Sequence, residues 1–179
     1  MDNIVLCGFM GCGKTTVSKQ LHKLLSDKFS VVDTDLLIEQ KFNMQIKDIF
    51  KTSKGKYIMP VPTEQKIGNQ ALIESVCIGG SSQPQPVAFI MLAEDIRNSL
   101  KQNPKRDEIE NTLKALRVKI NEELEPHAKI SFFVVVNEPW TMENDLLTPT
   151  MKIKRNKIES RYEPFLDAWA QQKREVVWE

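Results

Sequence analysis

The feature that most constrains this chain is Gly8-Phe9-Met10-Gly11-Cys12-Gly13-Lys14-Thr15, which places three glycines within six positions. Ile4-Val5-Leu6-Cys7 before it reads as a short buried strand, and Val17, Leu21, Leu24 and Leu25 after it recur at helical spacing. Strand, glycine loop and helix are the context in which this eight-residue pattern binds phosphate. Glycines let backbone N–H groups close round the oxygens, and the helix N-terminus adds positive potential. Lys14 then reaches the β- and γ-phosphate oxygens, and the Thr15 hydroxyl holds Mg²⁺. The plainer reading is a glycine turn that caps a helix, and the matched strand and helix on either side weigh against it. Cys12 reads as a small filler in the loop.

Phe29-Ser30-Val31-Val32 gives a second strand that ends at Asp33, so a right-handed parallel βαβ start is expected, with Leu36 to Gln40 opening another helix. Asp33-Thr34-Asp35 sets two carboxylates at the C-terminal edge of that strand, where α/β sheets bind ligands. One suits a magnesium-bound water and the other a substrate hydroxyl. Aspartates also cap helices, and the tripeptide alone does not separate the two roles.

Composition narrows the function classes. The 179 residues carry 25 Lys plus Arg against 24 Asp plus Glu, a formal charge of +1, which leaves no electrostatic footprint for nucleic acid. With 41% hydrophobic and 27% charged residues the chain lies in the range of globular proteins that build a packed core. Its longest apolar run, Phe132 to Val136, is far below the roughly 20 residues of a membrane span. Met1-Asp2-Asn3 lacks the basic start of a secretory signal, so a cytoplasmic protein is expected. Cys7, Cys12 and Cys77 lack metal-ligand spacing, and only His22 and His127 could supplement them. Reduced thiols and no structural zinc are expected.

The texture changes past Phe50. Ser53-Lys54-Gly55-Lys56 reads as a hairpin turn, and Pro62-Thr63-Glu64 opens a short helix. Val76 to Ile78 and Val87 to Leu92 read as strands on either side of Gly79 to Pro86. A longer helix follows Arg106, with Ile109, Leu113, Leu116, Ile120 and Leu124 on one face until Pro126. Ile130 to Val136 is another strand. After Thr148-Pro149 a last amphipathic helix aligns Ile158, Tyr162, Phe165, Leu166 and Trp169. The fold class is therefore α/β: an N-terminal phosphate-loop βαβ unit with an incomplete parallel sheet over residues 1–47, then a small α+β domain over 48–179. No internal repeat is visible.

Residues 4–16, with Val31-Val32-Asp33-Thr34-Asp35, Ile38-Glu39 and Lys47-Asp48-Ile49-Phe50, resemble the opening of a shikimate kinase. The resemblance implies that Gly8, Gly11, Cys12, Gly13, Lys14, Thr15 and Thr16 bind ATP. It also implies that Lys14 is catalytic, that Thr15 and Asp33 lie at Mg²⁺, and that Asp35 binds the shikimate hydroxyls. It covers about the first quarter of the chain. The arginine that such a kinase uses to grip the substrate carboxylate is missing, since no arginine occurs before Arg97, and no lid with a catalytic arginine follows.

From Asp48 onward the chain resembles the C-terminal swivelling domain of long-chain acyl-CoA synthetases, of the adenylate-forming superfamily. The stretches that carry it are Lys47 to Tyr57, Ile73 to Cys77, Pro84 to Ala88 and Leu147-Thr148-Pro149-Thr150-Met151-Lys152-Ile153-Lys154-Arg155. By this resemblance Asp48 is the hinge, the Ser53 to Lys56 hairpin faces the thioester site, and Lys152 stabilises the acyl-adenylate reaction. Gln45 stands where an arginine usually precedes the hinge. Without that context Lys152, Lys154, Arg155 and Lys157 read as a solvated basic helix start.

The sequence thus reads as a chimera joined at Asp48-Ile49-Phe50, which fits both patterns. The expected function is ATP- and Mg²⁺-dependent phosphoryl transfer to a shikimate-like hydroxy acid, with little or no turnover because the substrate half is replaced. The alternatives are an accessory domain that lends Lys152 to a separate adenylation domain, and an inert chimera.

Overall fold

The computed structural model describes residues 4–7, 12–25, 28, 30–34, 37, 39–40, 49–102 and 106–179. It divides into two compact units, Met1–Ile46 and Lys47–Glu179.

In the first unit helix α1, Lys14–Leu25, follows the glycine loop as its apolar spacing requires, yet none of its residues is buried. Thr34, Leu37, Glu39 and Gln40 are helical. The two strands expected here are not found among the described residues: 4–7 and 30–33 form no strand and are exposed, Val5 at 76% and Val32 at 61%. An apolar β-branched run becomes a parallel strand only when neighbours pair with it and helices cover both its faces. The sequence at 4–7 and 30–33 has the composition without that burial.

The second unit begins with the hairpin β1, Phe50–Lys51, and β2, Tyr57–Ile58, paired antiparallel. Its turn is built as the sequence suggests. Gly55 has φ +75°, its N–H donates to the Thr52 carbonyl at 2.8 Å, and the Thr52 N–H donates to the Lys56 carbonyl at 2.9 Å. Helix α2, Pro60–Gly68, starts two residues before the expected position because Pro60, whose missing N–H costs nothing there, takes the first turn.

The sheet runs in the order β3 (Ile73–Gly79), β4 (Val87–Leu92), β5 (Phe133–Val135), β6 (Val176–Trp178). β3 and β4 are antiparallel, and β4–β5 and β5–β6 are parallel. Side chains alternate across the pleat. Val87, Phe89 and Met91 join Val134 and helix α5 (Arg155–Gln171) in one core layer, while Ala88, Ile90 and Leu92 join Phe133, Val135, α2 and helix α4 (Arg106–Glu122) in the other. Helices on both faces explain why β4 is apolar at every position. The chain is accordingly a mixed α/β protein with a small, partly parallel sheet.

α4 turns Leu113, Leu116 and Ile120 inward as expected. α5 buries Ile158, Tyr162, Leu166 and Trp169, each side chain contributing about 1.5–3 kcal/mol, and this stripe carries the helix through Pro164. Phe165 departs from the expected stripe. It lies half exposed at 50%, stacked on Trp169 with ring centroids 5.5 Å apart, because one position short of Leu166 the helical period carries a side chain to the flank. Helix α3, Glu94–Gln102, and β6 add to the elements expected from the sequence. No helix of the described residues is long and apolar enough to cross a membrane.

Candidate functional site

The phosphate-seeking residues fall in both units. In the first, Gly13 has φ +85°, and a Cβ built there meets nothing within 4 Å, so glycine is needed for its conformation and not for space. The Gly13 carbonyl accepts the Val17 N–H at 3.0 Å, which makes Gly13 the cap and Lys14 the first helical residue. Thr15 and Thr16 are exposed in the first turn, where no acidic side chain opposes the positive end of the helix dipole. The Lys14 ammonium approaches the Cys12 sulfur at 3.8 Å. This arrangement suits a polyphosphate. Gly8 and Gly11 lie outside the described residues, as do Asp35 and the expected hinge Asp48.

The Asp33 carbonyl accepts the Leu37 N–H at 3.0 Å, so Asp33 stands at the start of a helical segment. Among the described residues no group of three or more His, Cys, Asp or Glu side chains could hold a metal ion by itself. A magnesium ion at Thr15 and Asp33 would take its remaining ligands from nucleotide oxygens and water, as Mg²⁺ commonly does.

In the second unit Lys152 sits in a closed loop. Leu147 and Ile153 form an isolated antiparallel bridge, the Thr148 N–H donates to the Lys152 carbonyl at 2.8 Å, and the Lys152 N–H donates to the Thr148 hydroxyl at 3.0 Å. Met151 turns the loop with φ +59°. Leu146 and Leu147 anchor one arm in the core.

The basic tract is solvated as its composition suggests at Lys152 and Lys157, but most of its charges are paired. Lys154 and Lys157 both pair with Asp145, the latter at 3.0 Å. Arg155 is partly buried and grips Glu64 through both carboxylate oxygens at 2.5 and 2.9 Å, while also donating to the Ile78 carbonyl at 2.6 Å. Burial works against the Arg155 charge, but its hydrogen bonds to Glu64 and the charges of Glu64 and Glu159 outweigh it and hold its pKa above the ordinary value. Among the described residues the exposed Lys152 ammonium is the cation of this tract with no ion pair or hydrogen bond.

The Glu64–Arg155 pair was not visible in the sequence, where 91 positions separate its members. Its Cys77 neighbour, 3.6 Å from the guanidinium, is a buried thiol whose pKa burial pushes well up while Arg155 pulls it down. Glu159, one turn further along α5, accepts the Gly80 N–H at 3.1 Å and the Ser81 N–H at 3.4 Å. Gln83 donates to Asp167 at 2.8 Å, and its carbonyl accepts the Ser53 N–H at 3.0 Å. Helix α5, which follows Lys152, therefore holds the loop after β3 and, through it, the hairpin turn.

The AMP-binding enzyme C-terminal domain family matches residues 38–173. The chain belongs to that family. Shikimate kinase matches residues 10–57, so the two matches overlap from 38 to 57, a stretch that includes the expected junction. The shikimate kinase of Sulfurihydrogenibium sp. (strain YO3AOP1) is 49% identical over 65 residues, covering 36% of this chain and 38% of the relative. That of Bacillus subtilis (strain 168) is 36% identical over 103 residues, covering 56% of this chain and 50% of the relative. The chain thus spans half or less of these kinases. Among solved structures, the A-PCP didomain of carboxylic acid reductase from Segniliparus rugosus in complex with AMP matches with TM-score 0.56 and 23% identity, over 72% of this chain and 18% of that one. The adenylation domain of a carboxylate reductase from Mycobacterium chelonae matches with TM-score 0.58 and 19% identity, over 71% of this chain and 20% of that one. These likenesses show the fold.

Proposed function

We propose that residues 48–179 act as an accessory domain that delivers Lys152 to an acyl-adenylate-forming site completed by a separate adenylation domain. The observation that carries this reading is the pairing within the basic tract, which leaves the Lys152 ammonium without a carboxylate partner at the tip of a braced loop. In the reaction a carboxylate oxygen attacks the α-phosphorus of ATP, the bond to pyrophosphate breaks, and pyrophosphate leaves. A fixed ammonium there offsets charge on the carboxylate and phosphate as they approach. Asp48 would serve as the hinge, and the Ser53 to Lys56 hairpin would face the thioester site.

The geometry at Gly13 supports a second activity in residues 1–47, the binding of ATP phosphates by the Gly8 to Thr16 loop. Mg²⁺ at Thr15 and Asp33, when bound, neutralises charge on the phosphates. Asp35 would face a hydroxy-acid substrate. Transfer to it is expected to be slow, since an arginine at the transferring phosphoryl group is worth about 10³ or more in rate and none precedes Arg97. The free cysteines, with Cys7 and Cys12 exposed, favour a reducing, cytoplasmic setting.

The test mixes the full chain with the adenylation domain of a long-chain acyl-CoA synthetase lacking its own C-terminal domain, together with palmitate and Mg-ATP. Acyl-adenylate formation should rise with the wild-type chain and not with Lys152→Ala. Equal rates with both would sink the reading.

A further inference from the structure

We infer that Arg155, gripped by Glu64, is the positioning residue of Lys152, fixing the lysine loop on the sheet; this rests on the reading of Lys152 given above. The loop has two arms. One is fixed by Leu146 and Leu147 in the core. The other, Ile153-Lys154, leads directly into Arg155, and the Lys154 N–H donates to the Leu146 carbonyl at 2.8 Å, so displacement of Arg155 would pull on both arms.

Arg155 is held from two elements at once. Its guanidinium forms a bidentate pair with Glu64 of α2 and a third hydrogen bond to the Ile78 carbonyl of β3. The Glu64 carboxylate is in turn fixed by the Ile78 N–H at 2.7 Å. Arginine and carboxylate thus close a ring on one residue of β3, with side chains only 13% and 11% exposed. A planar fork in a largely enclosed site sets direction as well as distance, which a lysine in its place cannot do. Three residues before it, Lys152 meets solvent at an angle set by this clamp. Asp145, which pairs with Lys154 and Lys157, braces the same segment from the solvent side.

The test uses the full chain. In the wild type the backbone order parameters at Lys152 and Lys154 should equal those at Phe89 and Val134, near 0.85; in Arg155→Lys and in Glu64→Gln the two loop values should fall below about 0.6 while the core values hold. Loop amides that stay rigid in both variants overturn the positioning role, and so does a loss shared equally with the core. In the palmitate assay above, Arg155→Lys should lower kcat about tenfold with KM for ATP unchanged, while Lys152→Ala removes the stimulation and leaves the loop rigid. An unchanged kcat in Arg155→Lys, where Lys152→Ala is inactive, also overturns it. If Lys152→Ala is without effect, the reading of Lys152 fails, and the order parameters alone decide whether Arg155 fixes the loop.

Discussion

Val5, Leu24, Val32 and Leu37 are 76%, 79%, 61% and 51% exposed, whereas Phe89, Phe133, Val134 and Tyr162 are completely buried. The two regions do not differ much in apolar content locally, since Ile4 to Cys7 and Val31-Val32 are as hydrophobic as parts of β4. They differ in neighbours. In the second unit the buried faces of β3 to β6, α2, α4 and α5 meet another element, so burial removes water and fixes register together. In the first unit the described apolar residues gain little of that. The lesson is that a motif can be present in full in the sequence where the described apolar residues beside it are not packed into a core.

The largest test of this contrast is packing. Phe89→Ala, which also removes the stacking on Tyr162 at 5.0 Å, should cost about 3–5 kcal/mol in a denaturant titration. Leu24→Ala should stay within about 0.5 kcal/mol. A Leu24 variant as costly as the Phe89 variant would break the comparison.

Nucleotide binding should act on the other side of it. Mg-ATP at 100 times its dissociation constant stabilises the unit that binds it by about 2.7 kcal/mol, a hundredfold in hydrogen-exchange protection. That gain should appear in α1 and leave β4 and β5 unchanged. Lys14→Ala should abolish it, and Lys152→Ala should leave it. Protection that follows Lys152 instead would move the nucleotide site to the second unit.

Two glycines divide along the same line. A Cβ at Gly79 would come within 2.9 Å of the Glu159 carboxylate and force it off the Gly80 and Ser81 N–H groups. Gly79→Ala should therefore cost about 1–3 kcal/mol, and much less in a Glu159→Ala background. Gly13→Ala meets no neighbour, and its cost of about 1–2 kcal/mol is backbone strain alone, which no second substitution relieves. Stability measured on the single and paired variants separates the two causes.

What the sequence shows follows the same physics. The hairpin at Thr52 to Lys56 is legible because Gly55 needs a positive φ, and β4 and α4 are legible because their periodicities are imposed by burial. β6 is not: three residues after a polar stretch become a strand only because β5 is there to pair with them. α3 offers only Ile96 and Leu100 as apolar contacts. The strands expected at 4–7 and 30–33 were legible as composition, but composition does not carry the neighbours. At the site, Gly13, Lys14 and Thr15 could be found locally. Which cation of Lys152, Lys154, Arg155 and Lys157 remains unpaired depends on Glu64 and Asp145, and the first of these is remote in the chain.

The smallest expected effect concerns that last point. Asp145, at φ +61°, is exposed, and hydrogen bonds from Lys154 and then Lys157, reinforced by their charges, hold its carboxyl below the ordinary value of 3.8. A folded pKa below the unfolded one means that the contribution to stability is complete above about 3.8 and is lost as pH falls through the depressed value. A side-chain carboxyl titration by NMR should show Asp145 titrating below that value, moving up in Lys154→Ala and less in Lys157→Ala. Raising the salt concentration should move it in the same direction, because the pair is open to solvent. An ordinary titration in the wild type would mean that Lys154 and Lys157 are as free as Lys152, and would remove the distinction on which the role of Lys152 stands.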